Sequence, residues 1–202
     1  LGGQRELGEV AKMSTNVPSH IVAYSGGVSS FEVARVVVAA EGPENVELVF
    51  TDTLTEDEDL YRFLRETTEY LGCKFTHLIY GQDIWGVFTQ RRFHGDSRVD
   101  TCSDMLKRKV FRDYISDRNP YETTLYYGIG VKEGHRIMAI RDRWFPFTVQ
   151  SPLIDTETTQ EEILHTLSQL GIDPPRLYDM GFEHNNCGGF CVKAGQRQMA
   201  HL

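Results

Sequence analysis

His20-Ile21-Val22-Ala23-Tyr24-Ser25-Gly26-Gly27-Val28-Ser29-Ser30-Phe31 runs an apolar strand into a Ser-Gly-Gly turn, and a helix opens directly behind it. Such a junction gathers backbone N–H groups, hydroxyls and the positive end of a helix at one point, which suits an anion and phosphate above all. Glycines let the backbone turn tightly and approach that anion closely. Neither G-x-x-x-x-G-K-[ST] nor G-x-G-x-x-G is present, so the stretch is neither of the common nucleotide loops. Taken alone, it also reads as a strand-to-helix turn with no ligand.

Outward from this stretch, strands and helices alternate. Strands are expected at 20–24, 46–50, 75–80 and 125–129, with a short fifth at 147–149, and helices at 28–40, 56–71 and 104–115. Leu60, Phe63, Leu64 and Leu71 share one face of the second helix, and Leu106, Val110 and Tyr114 recur at i, i+4 and i+8 in the third. Residues 82–100 read as irregular and rich in Arg, His and aromatics. Thr158 and Glu161 have capping-box spacing before a further helix that Gly171 ends. Alternation of this kind specifies an α/β fold: a doubly wound, mainly parallel five-stranded sheet with helices on both faces. Ligands of such sheets sit beyond the carboxyl ends of the strands, where Ser25–Ser30 and Asp52 both fall.

Length and composition set bounds on this reading. At 202 residues and 40% hydrophobic, the chain is expected to form one domain over 19–202, preceded by an arm over 1–18 and closed by an irregular Cys-containing segment. No apolar run reaches the roughly 20 residues of a membrane helix, and no secretory signal is visible, so a cytoplasmic location is expected. A net charge of −8 argues against broad non-specific binding to nucleic acid. Arg91, Arg92, Arg98, Lys107, Arg108, Lys109 and Arg112 nevertheless concentrate positive charge within 91–112. Four cysteines in such a chain point to metal or catalysis before disulfides.

Several constellations carry chemistry. Asp52, at the end of the second strand, is a candidate for Mg²⁺ or ribose, or equally a turn-former; the acidic run Glu56-Asp57-Glu58-Asp59 after it reads as the negative first turn of a helix. Cys102 stands just before a helix N-terminus, where the dipole favours a thiolate, and Lys107 is about one turn further on. Gly128-Ile129-Gly130 opens a loop in which Lys132 and Arg136 can neutralise phosphate or sulfate. In Glu183-His184-Asn185-Asn186-Cys187-Gly188-Gly189-Phe190-Cys191, two cysteines four apart flank two glycines, so their sulfurs can converge. Cys102, Cys187 and Cys191, with His184 or Cys73 as a fourth ligand, make a metal site; thiolates suit an iron–sulfur cluster, and Cys₃His suits zinc. A redox disulfide between Cys187 and Cys191 is the alternative. Cys73 reads best as a packed thiol.

Ser25, Gly26, Gly27 and Ser30 resemble the S-G-G-x-D-S signature of the PP-loop ATP pyrophosphatase and PAPS reductase-like superfamily, with Ser29 in the place of its Asp. Asp52-Thr53, the Cys102 to Lys107 stretch, Gly128 to Arg136, and Pro152-Leu153 through Gly181-Phe182 are similar to the superfamily's segments in the same order, across residues 20–191. The resemblance implies ATP, or an adenylyl-sulfate-type nucleotide, held with Mg²⁺ by Ser25, Gly26, Gly27, Ser29, Ser30, Asp52, Lys132 and Arg136. It implies catalytic roles for Cys102, Cys187, Cys191 and Lys107, and a [4Fe-4S] cluster on Cys102, Cys187 and Cys191. The E-C-G-[IL]-H motif of true sulfonucleotide reductases is not found in this sequence. Adenylation of an acceptor for sulfur transfer is therefore expected first, a sulfonucleotide reductase relative second, and a metal-stabilised nucleotide-binding module without turnover third. The partners expected are an adenine nucleotide, a nucleic-acid or nucleotide acceptor near 91–112, a sulfur or electron donor, and a second copy of the chain.

Overall fold

The computed structural model describes residues 17–96, 99–194 and 196–202; most of the expected arm, and Arg98 of the basic segment, lie outside them. Five strands form: β1 (His20–Ala23), β2 (Val46–Asp52), β3 (Lys74–Ile79), β4 (Thr124–Tyr127) and β5 (Thr148–Gln150). All pair in parallel, in the order β3-β2-β1-β4-β5. The chain moves outward in one direction from β1 to β3, then crosses back to β4 on the other side. Beyond the carboxyl ends of β1 and β4 therefore lies the crevice where strand order reverses.

Helices cover both faces because successive side chains of a strand point to opposite sides. Val22, Leu48 and Phe50 face α1 (Val28–Glu41) and α2 (Glu58–Leu71), burying Phe31, Val37, Leu60 and Phe63. Ile21, Val49, Leu125 and Val149 face the opposite way. They meet Phe111 of α4 (Val110–Tyr114), and Ile140 and Trp144 of α5 (Ile137–Trp144). Ahead of α4 in the chain stand α3 (Ile84–Arg91) and a π-helical turn, Ser103–Lys109. After β5 come α6 (Pro152–Asp155), α7 (Gln160–Leu170), which packs its Ile163 and Leu167 beside α1, and α8 (Arg176–Asp179). The fold is the doubly wound α/β sheet expected. No helix among the described residues is long and apolar enough to cross a membrane.

Four local expectations are corrected. The second helix begins at Glu58, since Asp57 caps it by accepting the Asp59 N–H at 2.9 Å, and this leaves Glu56 in the preceding loop. Residues 82–100 are not wholly irregular: Asp83 accepts the Gly86 N–H and starts α3, which ends where Arg92 turns left-handed at φ 51. The stretch expected as an α-helix from 104 is π-helical up to Lys109; single π turns cluster at functional sites. The capping box is Thr159 with Glu162, one residue later than expected, because Thr158 turns its hydroxyl back to Thr156 at 2.6 Å.

Candidate active site at the phosphate loop and the cysteine pocket

The Ser25–Ser30 loop leaves β1 at its carboxyl end and closes on itself. Gly26 takes φ 75, with the Leu60 side chain 3.0 Å from where a Cβ would stand. The Ser25 hydroxyl donates to Ser30 Oγ at 3.2 Å, and Ser30 Oγ donates to the Gly27 carbonyl at 2.8 Å. Both serines of the motif therefore latch the turn. Gly27, the N-cap of α1, supplies no side chain and so caps none of the first-turn N–H groups itself. One of them, on Val28, meets the phenol oxygen of Tyr178. Gly128, at the end of β4, lies so close that a Cβ there would stand 2.8 Å from the Ser30 nitrogen.

A second group of side chains gathers beside this loop. Cys102 and Cys187 share a buried cluster with Ile84, Val87, Met105 and Leu106. Phe190 and Val192, which flank Cys191, pack against the same cluster, and Glu56 links Lys107 to the Cys187 N–H, so three cysteines and one ammonium gather here. Glu56 organises it. Its side chain, 1% exposed, accepts from Lys107 Nζ at 3.4 Å, from Thr53 Oγ1 at 2.9 Å and from the Cys187 N–H at 2.7 Å. Cys187 itself is held at φ 52, a left-handed conformation unfavourable for a residue with a side chain. Asn185, 3% exposed, donates to the Gly26 carbonyl at 3.0 Å and so ties the cysteine loop to the phosphate loop.

Burial dominates the electrostatics. It pushes the Cys187 thiol up to about 12 against the opposing pull of Lys107, and it raises Cys102 despite the Ser103 N–H. The helix end that favours a thiolate at Cys102 is thus opposed by lost solvation, which outweighs one backbone dipole. Burial also opposes the Lys107 charge, but Glu56 and the neighbouring cysteines more than offset it and raise its pKa.

Asp52 is buried, and its oxygens accept from Tyr61 Oη at 3.0 Å and the Leu54 N–H at 2.7 Å, with His77 Nε2 at 2.9 Å. That is the geometry of a turn-former. Arg136 pairs with Glu133, while Lys132 is exposed beyond β4. Cys73 packs against the α1 and α2 side of the sheet, its thiol pushed up to about 11 by burial. His184 is exposed, and among the described residues no three of His, Cys, Asp and Glu are placed to hold a metal ion. Much of the basic segment is neutralised internally: Arg108 by Asp100 and Asp104, Lys109 by Asp113, with Arg112 lying over Trp144. Glu56, Tyr178 and Asn185 escaped sequence reasoning. The only signal available was an acid immediately ahead of the Asp57 cap.

The parallel β3-β2-β1-β4-β5 sheet with a Ser-Gly-Gly loop at its switch point is a doubly wound α/β fold that resembles PAPS reductase in architecture. Among solved structures, the phosphate complex of phosphoadenylyl-sulfate (PAPS) reductase from Candida auris is similar with a TM-score of 0.55. The match covers 84% of this chain and 81% of that one, at 12% identity, which is a likeness of fold. No family model and no curated protein matches the sequence.

Proposed function

We propose that the chain binds ATP at the Ser25–Ser30 loop, adenylates an acceptor oxygen, and directs a sulfur nucleophile to that activated position from the adjoining cysteine pocket. The observation that carries this is the gathering of Cys102, Cys187, Cys191 and Lys107 in one pocket, tied by Asn185 to the phosphate loop. The acceptor oxygen attacks the α-phosphorus and pyrophosphate leaves; sulfur supplied by a donor then displaces AMP. First-turn N–H groups of α1 hold phosphate oxygens, with Mg²⁺ among the phosphates, and Lys107 and Lys132 offset charge as it develops. The similar PAPS reductase was solved as a phosphate complex, and an anion-binding role for the Ser25–Ser30 loop agrees with that.

Thiolates are the usual ligands of an iron–sulfur cluster, and among the described residues no three of His, Cys, Asp and Glu stand as a preformed set for one ion. Cys102, Cys187 and Cys191 would be the ligands of a [4Fe-4S] cluster, which would supply iron chemistry for sulfide delivery. The test is pyrophosphate release from ATP with candidate acceptors, together with iron and acid-labile sulfide content after anaerobic purification. Iron with sulfide and acceptor-dependent pyrophosphate support the reading; neither product nor cluster overturns it.

The likeness to a PAPS reductase favours a second reading, a sulfonucleotide reductase relative in which Cys187 or Cys191 supplies the attacking thiol. Sulfite release from adenylyl sulfate or its 3′-phosphate, with a thiol donor, distinguishes it.

A further inference from the structure

One group of rings takes no part in the chemistry above. Trp85 on α3 is 51% exposed, and Phe93 just after that helix is 41% exposed. Trp85 stands edge-on to Phe88, centroids 5.9 Å apart, and lies 5.2 Å from Phe190 at 35°. Phe93 stacks on His94 at 5.8 Å and 22°, and His94 meets Phe88 edge-on at 6.4 Å. The five rings form one connected shelf. Its inner end is the lip of the thiol pocket, because Phe190 and Phe88 pack against the buried cluster that holds Cys102 and Cys187.

Positive charge borders the shelf. Arg91 donates its Nε to Met105 Sδ at 3.1 Å, which lays its guanidinium against a wall of that pocket, and the exposed Arg92 follows. Nearby acids are engaged: Asp83 caps α3, and Asp100 pairs with Arg108 and Lys193. Exposed apolar patches of this kind mark binding surfaces. Rings interleaved with guanidinium suit flat, electron-rich ligands.

We infer that this shelf binds an unstacked base of a single-stranded nucleic acid and presents it to the thiol pocket. The inference rests on the proposed acceptor chemistry only for what then happens to the base. A duplex hides the base faces that the shelf would stack on. A chain of net charge −8 offers a phosphate backbone little general attraction, so stacking rather than counterion release must supply the affinity.

The experiment is fluorescence anisotropy of labelled single-stranded RNA and DNA of about 12 nucleotides with the full chain, in the absence of ATP. Binding is expected, with shallow salt dependence and a clear preference over the matching duplex. Trp85→Ala should weaken it roughly tenfold or more, while Trp85→Phe retains most of it. Trp85 is half exposed, so its variants should melt as the parent does; Phe93→Ala supplies a second probe. No binding, equal binding of duplex, or parental affinity in both alanine variants overturns the inference. Gly27→Val separates the two readings: it should lose ATP and keep the oligonucleotide. Oligonucleotide binding with no pyrophosphate from any acceptor would sink the activity and leave the shelf standing.

Discussion

Glu56 and Lys107, 51 positions apart, meet at 3.4 Å inside a pocket of three cysteines. The same carboxylate holds the Cys187 N–H, so one buried acid joins the loop after β2, the π-helical turn and the cysteine loop. Its shape and its charge do separate work. Glu56→Gln keeps the shape but leaves the Lys107 ammonium without its counter-charge. A charged hydrogen bond contributes about 1.5–3 kcal/mol. The variant should lose stability of that order in urea unfolding, and lose the proposed activity with it. Unchanged stability would show that the pair is solvated.

Gly128 and the phosphate loop are in direct backbone contact. Gly128→Ala puts a methyl 2.8 Å from the Ser30 nitrogen, where only main chain can give way. Overpacking of this kind costs about 1–3 kcal/mol. ATP binding measured by calorimetry should weaken far more than global stability falls. Parental affinity would show that loop and strand separate freely.

Acid sensitivity has a named source in Asp100. Burial opposes its charge, but Arg108 and Lys193 outweigh burial and hold the carboxyl down at about 2, against an ordinary 3.8. A depressed folded-state pKa stabilises the native state above the unfolded value, and that contribution is lost as pH falls from about 4 towards 2. Asp100→Asn should flatten the decline of melting temperature across that window. An equally steep decline would assign acid unfolding to other carboxylates.

Glu47 is fully buried on β2 and pairs with Arg118 at 2.7 Å and Lys74 at 2.9 Å, while Thr76 and Tyr114 donate hydroxyls to it. Glu47→Ala leaves the Arg118 guanidinium, 11% exposed, over the Tyr114 ring with only the Pro18 carbonyl, among the described residues, to accept from it. Removing one partner of a buried pair costs about 3–5 kcal/mol. Chemical denaturation should show a loss of that size with the phosphate loop untouched; a loss below about 1 kcal/mol would mean that water replaces the carboxylate.

The sheet was legible because its information is local. Short continuous apolar runs, the Ser-Gly-Gly turn and helices between strands each write their own signature, and together they specify a parallel doubly wound fold. The turn from Ser25 to Ser30 was legible for the same reason: its serines latch neighbours within five positions. Where local signals compete, reading by spacing slipped, as with the capping box displaced by one residue and the helix over 84–91. A π turn carries no distinct sequence period at all.

The site beyond the loop was decided by tertiary structure. Cys102 and Cys187 are 85 positions apart in the chain; spacing nominated both, but only the packing of α3 and the π turn against the cysteine loop brings them into one pocket. Glu56 looked like one acid in a helical run, and became a pocket ligand because Asp57 took the cap and turned it inward. Asp52 read equally as a ligand contact and a turn-former, and the folded chain adds Tyr61 and His77 as its neighbours. Sequence by itself settled which residue types are available and which backbone carries them. Whether a charge is neutralised, a thiol desolvated or a ring left open to solvent depends on neighbours remote in the chain, and those only the folded molecule assembles.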